Sequence, residues 1–273
     1  MSERVMSEGV GRKRAMSGPA RVLWRKELRE NRWKIAVAIA ISVALAVLTA
    51  LTYDYVKSMI GPGGVSTQVP EMFRGSLEAQ LSGYSTFVWM SWYGKSFYQF
   101  GAILAIIVGM GLFSSEVARG TLSFLLARPF GRREIFATKF AAGAISLLVP
   151  LSVGTLLLVP LARLAGHGVD AVQLLLGLPV ALSGVLVLFA LSVTFSVLID
   201  EPVKAGAAAG GVALLLSIPS WFERVRALSI YSQMQALPVL RGEGFPWGAT
   251  AAMLGIAVLL YYAGLAAFRA REY

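Results

Sequence analysis

Side chains able to do chemistry are scarce in this 273-residue chain, and a dense group of them lies in SSEVARGTLSFLLARPFGRREIFATK, residues 114–139. There Glu116, Arg128, Arg132, Arg133 and Lys139 flank an apolar patch of Leu122, Phe124, Leu125 and Leu126. That mixture suits recognition better than catalysis, because an exposed apolar patch rimmed by charge marks a surface that meets a partner. The leucine spacing predicts a short helix. Arg128-Pro129 ends or sharply bends it, since proline lacks an N–H and restricts the residue before it. Gly131 then permits a turn.

Other chemistries are ruled out by what is missing. The chain has no Cys, which removes disulfides, thiol nucleophiles and Cys-based metal sites. It contains no GxxxxGK[ST]; the Gly-rich GPGGVS at 61–66 lacks the lysine of a phosphate loop. Neither HExxH nor a paired-acid catalytic pattern occurs. The single His167 stands in a GHG turn and reads as a solvent-facing loop residue, and Asp200-Glu201-Pro202 as a turn and helix-end device. No catalytic residue, cofactor site or metal site is expected in this chain.

The elements that must hold the 114–139 segment are apolar. Hydrophobic residues make up 56% of the chain and charged ones only 15%, too greasy for a soluble domain. Six stretches read as spanning helices, at about 35–52, 97–115, 141–161, 172–199, 203–219 and 247–268, each near the roughly 20 residues that a hydrocarbon core requires. The fifth is short and rich in Gly and Ala, and a partly re-entrant course stays open for it. None of these six stretches contains an internal Asp, Glu, Lys or Arg; Lys204 stands at the very edge of the fifth.

Charge sets the expected orientation. Of 25 Lys and Arg residues, eighteen fall within residues 1–34, 116–139, 200–204 and the C-terminal tail, and the intervening loops carry seven. The positive-inside rule therefore predicts that both termini and the 116–139 loop lie in the cytoplasm. The net charge of +10 follows from this topology rather than from nucleic-acid binding.

Residues 1–20 read as a flexible basic tail and 21–34 as an amphipathic helix lying in the interface before the chain turns into the membrane. In that helix Trp24 and Leu28 form an apolar stripe, and Arg25, Lys26 and Arg29 reach headgroups beside Glu27. At the other side, the aromatic run at 84–100 (Tyr84, Phe87, Trp89, Trp92, Tyr93, Phe97 and Tyr98) reads first as a headgroup-level belt and second as a gate or substrate contact. Residues 220–246 are amphipathic enough to dip into the interface or cap an outer mouth. Within the spans, Gly109, Gly111, Gly206, Gly210, Gly211, Gly255 and Gly264 offer close-packing faces, and Pro150 and Pro160 can kink span three.

The pattern E-x-x-x-G-T-L-x-F-L-L-x-R-P-x-x-R-R-x-I, formed by Glu116, Gly120, Thr121, Leu122, Phe124, Leu125, Leu126, Arg128, Pro129, Arg132, Arg133 and Ile135, resembles the first intracellular loop of ABC-2 type permease subunits. The branch it resembles includes copper-processing, sodium-export and bacitracin-export permeases. KELRE at 26–30, the six spans and the chain length agree with that family.

The resemblance implies an all-α integral membrane protein whose residues 35–273 form the six-helix transmembrane domain, with both termini cytoplasmic. It implies a subunit of an ATP-driven exporter in a prokaryotic cytoplasmic membrane. Two permease copies would form the translocation path, and two separate ATPase subunits would bind ATP and Mg2+ beneath it. Residues about 117–128 would be the coupling helix, Glu116 the acidic position of the motif and Arg128-Pro129 its closing pair; residues 21–33 would be the elbow helix. Arg132 and Arg133 would meet headgroups or ATPase carboxylates. Membrane lipids and accessory proteins complete the expected partners. The competing readings are an ion-gradient-driven secondary carrier, disfavoured by the charge-free spans, and a non-transporting membrane anchor or assembly factor.

Overall fold

The computed structural model describes residues 18–60, 80–126 and 131–271, and the structure is all-helical. The elements are α1 (Gly18–Ile60), α2 (Tyr84–Ser91), α3 (Phe97–Met110), α4 (Ser114–Ala118), α5 (Leu122–Leu126), α6 (Arg132–Leu164), α7 (Ala171–Leu198), α8 (Pro202–Leu215), α9 (Ile230–Met234), α10 (Leu237–Leu240) and α11 (Trp247–Ala270). A π-helical turn, Trp92–Ser96, joins α2 to α3 without a break. Among the described residues, six helical stretches are long and apolar enough to cross a membrane: Trp24–Ser58, Tyr84–Ala118, Arg132–Leu164, Ala171–Leu198, Pro202–Trp221 and Trp247–Ala270.

Helix α7 is the central post. It packs against α3, α6, α8, α9, α10 and α11, whereas α1 packs mainly along α6. Its start is fixed by Asp170, whose carboxylate accepts from the Val172 and Gln173 amides at 2.9 and 3.1 Å, satisfying amides that a helix start leaves open. Proline at the first turn of α8, with Glu201 paired to Lys204 and Asp200 to Arg271, makes 200–202 the helix-end device expected of it. Glycine permits a very close approach at Gly154, where an added Cβ would stand 2.2 Å from Ser42 Oγ and 2.8 Å from Trp92. Of the glycines singled out in the sequence, Gly109, Gly206 and Gly264 meet neighbouring side chains closely, while Gly211 and Gly255 face open space.

Four expectations need correction. Helix α1 runs unbroken through 34 and 35, so residues 21–34 are continuous with the helix of the first span rather than a separate helix. The second span begins at 84 rather than 97, and its aromatic residues pack inward rather than forming a belt. Trp92 Nε1 donates to Thr155 Oγ1 at 3.0 Å, Tyr93 OH to the Leu174 carbonyl at 2.7 Å and Trp89 Nε1 to the Gln235 carbonyl at 2.9 Å. Each ring thus buries its apolar body and keeps a partner for its polar tip. His167 is no free loop residue: its Nε2 lies 3.0 Å from the Asp54 carboxylate, and its ring stacks on Tyr84 at 4.2 Å between centroids. Finally, the apolar stretches continue into helical turns that carry charge, and three of those charges are brought together.

Candidate functional site

Those three are Glu27, Glu116 and Lys139. Lys139, two turns into α6, donates to Glu27 Oε1 of α1 at 2.9 Å and to Glu116 Oε1 of α4 at 2.7 Å. The lysine and Glu27 side chains are 3% and 5% exposed, and that of Glu116 13%, so the cluster is largely withdrawn from bulk solvent. Taking charges out of water costs several kcal/mol each, which only close pairing offsets. Lys139 therefore clamps three elements at one point. The second carboxylate oxygen, Glu116 Oε2, is buried and meets no donor among the described residues. Phe113 lies beneath the ammonium, 6.0 Å from Nζ to ring centroid, and stacks on Phe136.

Local sequence puts Glu116 there. After α3 the chain bends through Gly111–Phe113, and the buried amides of Phe113 and Ser114 donate to Ser196 Oγ of α7 at 3.0 and 3.1 Å. That borrowed hydroxyl fixes the start of α4. Gly120 ends it: the Thr121 amide donates to the Glu116 carbonyl and the Gly120 amide to that of Val117, both at 2.9 Å. This pair of bonds is a Schellman cap, and Gly120 adopts the left-handed φ of 67° that it requires. The glycine of the motif is thus explained by backbone geometry.

The same turn corrects the expected single coupling helix at 117–128. The chain forms two short helices, α4 and α5, separated by 119–121. Leu122 is 2% exposed and belongs to the core, so it anchors the segment and is not offered to a partner. Phe124 is 75% exposed and, among the described side chains of this segment, is the large apolar one presented outward. The Leu125 and Leu126 side chains, Arg128-Pro129 and the 1–17 tail lie outside the described residues. Thr121 closes the turn, its hydroxyl donating to the Glu116 carbonyl at 3.3 Å.

The arginines separate. Arg132 reaches the carbonyls of Phe268, Arg269 and Arg271 at 3.2, 2.9 and 2.7 Å, tying the start of α6 to the C-terminal end of α11. A guanidinium there neutralises carbonyls that a helix end leaves open. It is thus committed within the chain. Arg133 is exposed beside it. On α1, Glu27 and Asn31 are buried, Trp24 and Leu28 are half-buried, and Arg25, Lys26 and Arg29 face outward, with Lys26 3.7 Å from Glu30. Sequence reasoning named Glu27, Glu116 and Lys139 singly but missed their union. The signal was the unusual presence of acids and a lysine at helical spacing from apolar faces.

Residues 22–222, most of the chain, match the ABC-2 family transporter protein family. The chain belongs to the ABC-2 transporter family. It is a multi-pass membrane permease; ABC-2 permeases are non-catalytic transport subunits that typically pair with ATPase subunits and form dimers. The matched stretch covers the Lys139 cluster, its three parent helices and the first five spans. No curated protein matches the chain in a sequence comparison.

Proposed function

We propose that this ABC-2 permease is the membrane half of an ATP-driven exporter in a prokaryotic cytoplasmic membrane, pairing with a second copy and with two ATPase subunits. The branch containing copper-processing, sodium-export and bacitracin-export permeases is the one its 116–135 motif resembles. In this reading the basic end of the helices, with both termini, faces the cytoplasm, and Phe124 presents the 116–135 segment to the ATPase. The single observation that carries the reading is the Lys139 clamp, which joins the start of that segment to α1 and α6. A push on Phe124 passes through a short capped turn to Glu116 and, through Lys139, to two spanning helices at once. A loose linker would dissipate such a push; packed elements with discrete arrangements transmit it.

At the far half, a cavity of about 380 Å³ between α3 and α8, lined in part by Tyr98, Gln99, Ser217 and Tyr231, gives a cargo both apolar and polar contacts. The buried charges do not favour an ion-driven carrier. All three sit at one end of their helices rather than near the middle, where coupling ions are held.

The test is co-purification with the candidate ATPase and ATP hydrolysis by the complex. Phe124→Asp should abolish both association and permease-stimulated hydrolysis while leaving thermal stability unchanged, because the side chain touches little within the chain. Unchanged association and hydrolysis would overturn the docking assignment. Since the chain has no Cys, Phe124→Cys also reports orientation: an impermeant maleimide should label it in inverted vesicles and not in intact cells.

A further inference from the structure

Between α1 and α3 the basic half of the molecule carries an open apolar groove of about 380 Å³. Its walls are Val37 and Ile41 on α1 and Ile103 and Ile107 on α3, each at least 39% exposed. Toward the basic end it runs into a second cavity, of about 340 Å³, whose lining is mostly polar. The two share Lys34 and Val108, so they form one channel along the helix pair rather than separate dimples.

The chemistry changes in order along that channel. First come the aliphatic walls. Next, at the junction, stands Lys34, beside Trp33, which is 75% exposed as an interfacial tryptophan is. Last come Glu30, Arg119 and the Glu27–Lys139–Glu116 cluster. One lysine shared between two carboxylates leaves that cluster with an excess negative charge, and Glu116 Oε2 without a donor among the described residues. Among the described residues neither Lys34 nor Arg119 forms an ion pair, and Glu30 has only its exposed contact with Lys26. A buried acceptor without a donor is costly, so the site is built for something that supplies one.

We propose that this channel binds a phospholipid with a primary ammonium headgroup, of the phosphatidylethanolamine class. An acyl chain fills the apolar groove, the phosphate meets Lys34 with Arg119 at the rim, and the ammonium donates to Glu116 Oε2 with Glu30 nearby. The order acyl, phosphate, ammonium in the lipid matches the order apolar, cationic, anionic in the protein. A trimethylated choline headgroup has no N–H to give Glu116, and a glycerol headgroup brings no positive charge. A transmembrane helix of a second copy would fill the apolar half but leave the carboxylate unanswered. The lipid lies against the Lys139 clamp, so its headgroup composition tunes the stiffness of the joint between α1 and α4. Assignment to the cytoplasmic leaflet rests on the orientation proposed above; the binding itself does not.

The experiment uses the full chain alone, without an ATPase, purified in detergent and offered equal amounts of phosphatidylethanolamine, phosphatidylcholine and phosphatidylglycerol of identical acyl chains. Retained lipid is counted by native mass spectrometry. Phosphatidylethanolamine should be retained about five-fold over each of the others, the worth of roughly one net hydrogen bond. Lys34→Ala should erase most of its retention, and Ile41→Trp with Ile107→Trp, which fill the groove from exposed positions, should erase retention of all three lipids. Lys204→Ala, on α8, serves as the unaffected control. Equal retention of the three headgroups, or retention that survives groove filling, would overturn the proposal. So would groove filling that dissociates a dimer while lipid counts stay constant, which would assign the groove to a second copy. Because no ATPase takes part, these failures are separate from failure of the coupling reading.

Discussion

The two ends of this helix bundle are held together by different physics. At the far half, neutral aromatic groups do the joining: Trp89, Trp92 and Tyr93 are nearly fully buried, and each gives its single donor to one acceptor. At the basic end one ammonium holds two carboxylates from two other elements. The neutral contacts fail gradually, since losing one hydrogen bond leaves the ring's apolar burial intact. The ionic joint fails abruptly, because removing its one cation leaves two buried anions facing each other. A bundle built this way has a firm far half and a basic end whose arrangement depends on one residue. That is where a partner's motion has the most leverage.

The largest expected effect follows from that asymmetry. Lys139→Met should destabilise the permease by about 3–5 kcal/mol, the typical cost of an uncompensated buried charge. Fluorescence-detected thermal unfolding in detergent measures it. Adding Glu27→Gln and Glu116→Gln to the same chain should restore much of the loss. If the triple variant is no better than the single one, packing rather than charge holds the basic end and the contrast between the two ends dissolves.

A smaller loss is expected at the far half from Gly154→Ala. Its Cβ would collide with Ser42 and Trp92, forcing α1 and the second span away from α6 at a cost of about 1–3 kcal/mol. The smallest is Trp92→Phe, which keeps an aromatic ring but removes the donor to Thr155. It should cost about 1 kcal/mol, seen as a modest shift in the same unfolding measurement. A Trp92→Phe loss as large as that of Lys139→Met would mean that the far half also hangs on a single contact.

How far the sequence reached can be judged from particular residues. Six spans were legible because a run of apolar residues declares itself without knowledge of its neighbours. Their limits were not: α1 begins at Gly18 and the second span at Tyr84, since helical turns that leave the hydrocarbon may carry any residue type so long as something packs on them. The inward face of the second span was in fact written in the spacing of Trp89, Trp92, Tyr93 and Phe97, which is helical, but aromatic content alone also fits a belt. Gly120 was picked out by resemblance, and only the left-handed turn explains it. Leu122 and Phe124 looked equivalent in the sequence. Their opposite exposures depend on how α5 is hung from its cap.

Composition and periodicity by themselves determined that this is an all-helical membrane chain with six apolar spans, and its 116–135 motif pointed to the ABC-2 family. These properties are local, set by residue type over windows of about twenty positions. Tertiary structure alone decided that Lys139 serves Glu27, 112 residues away, and Glu116, 23 residues away, and that α1 and α3 leave a channel between them. The reason is electrostatic and steric together. A charge near a helix end is stable either in water or beside a counter-charge, and which of these it finds depends on which helices touch.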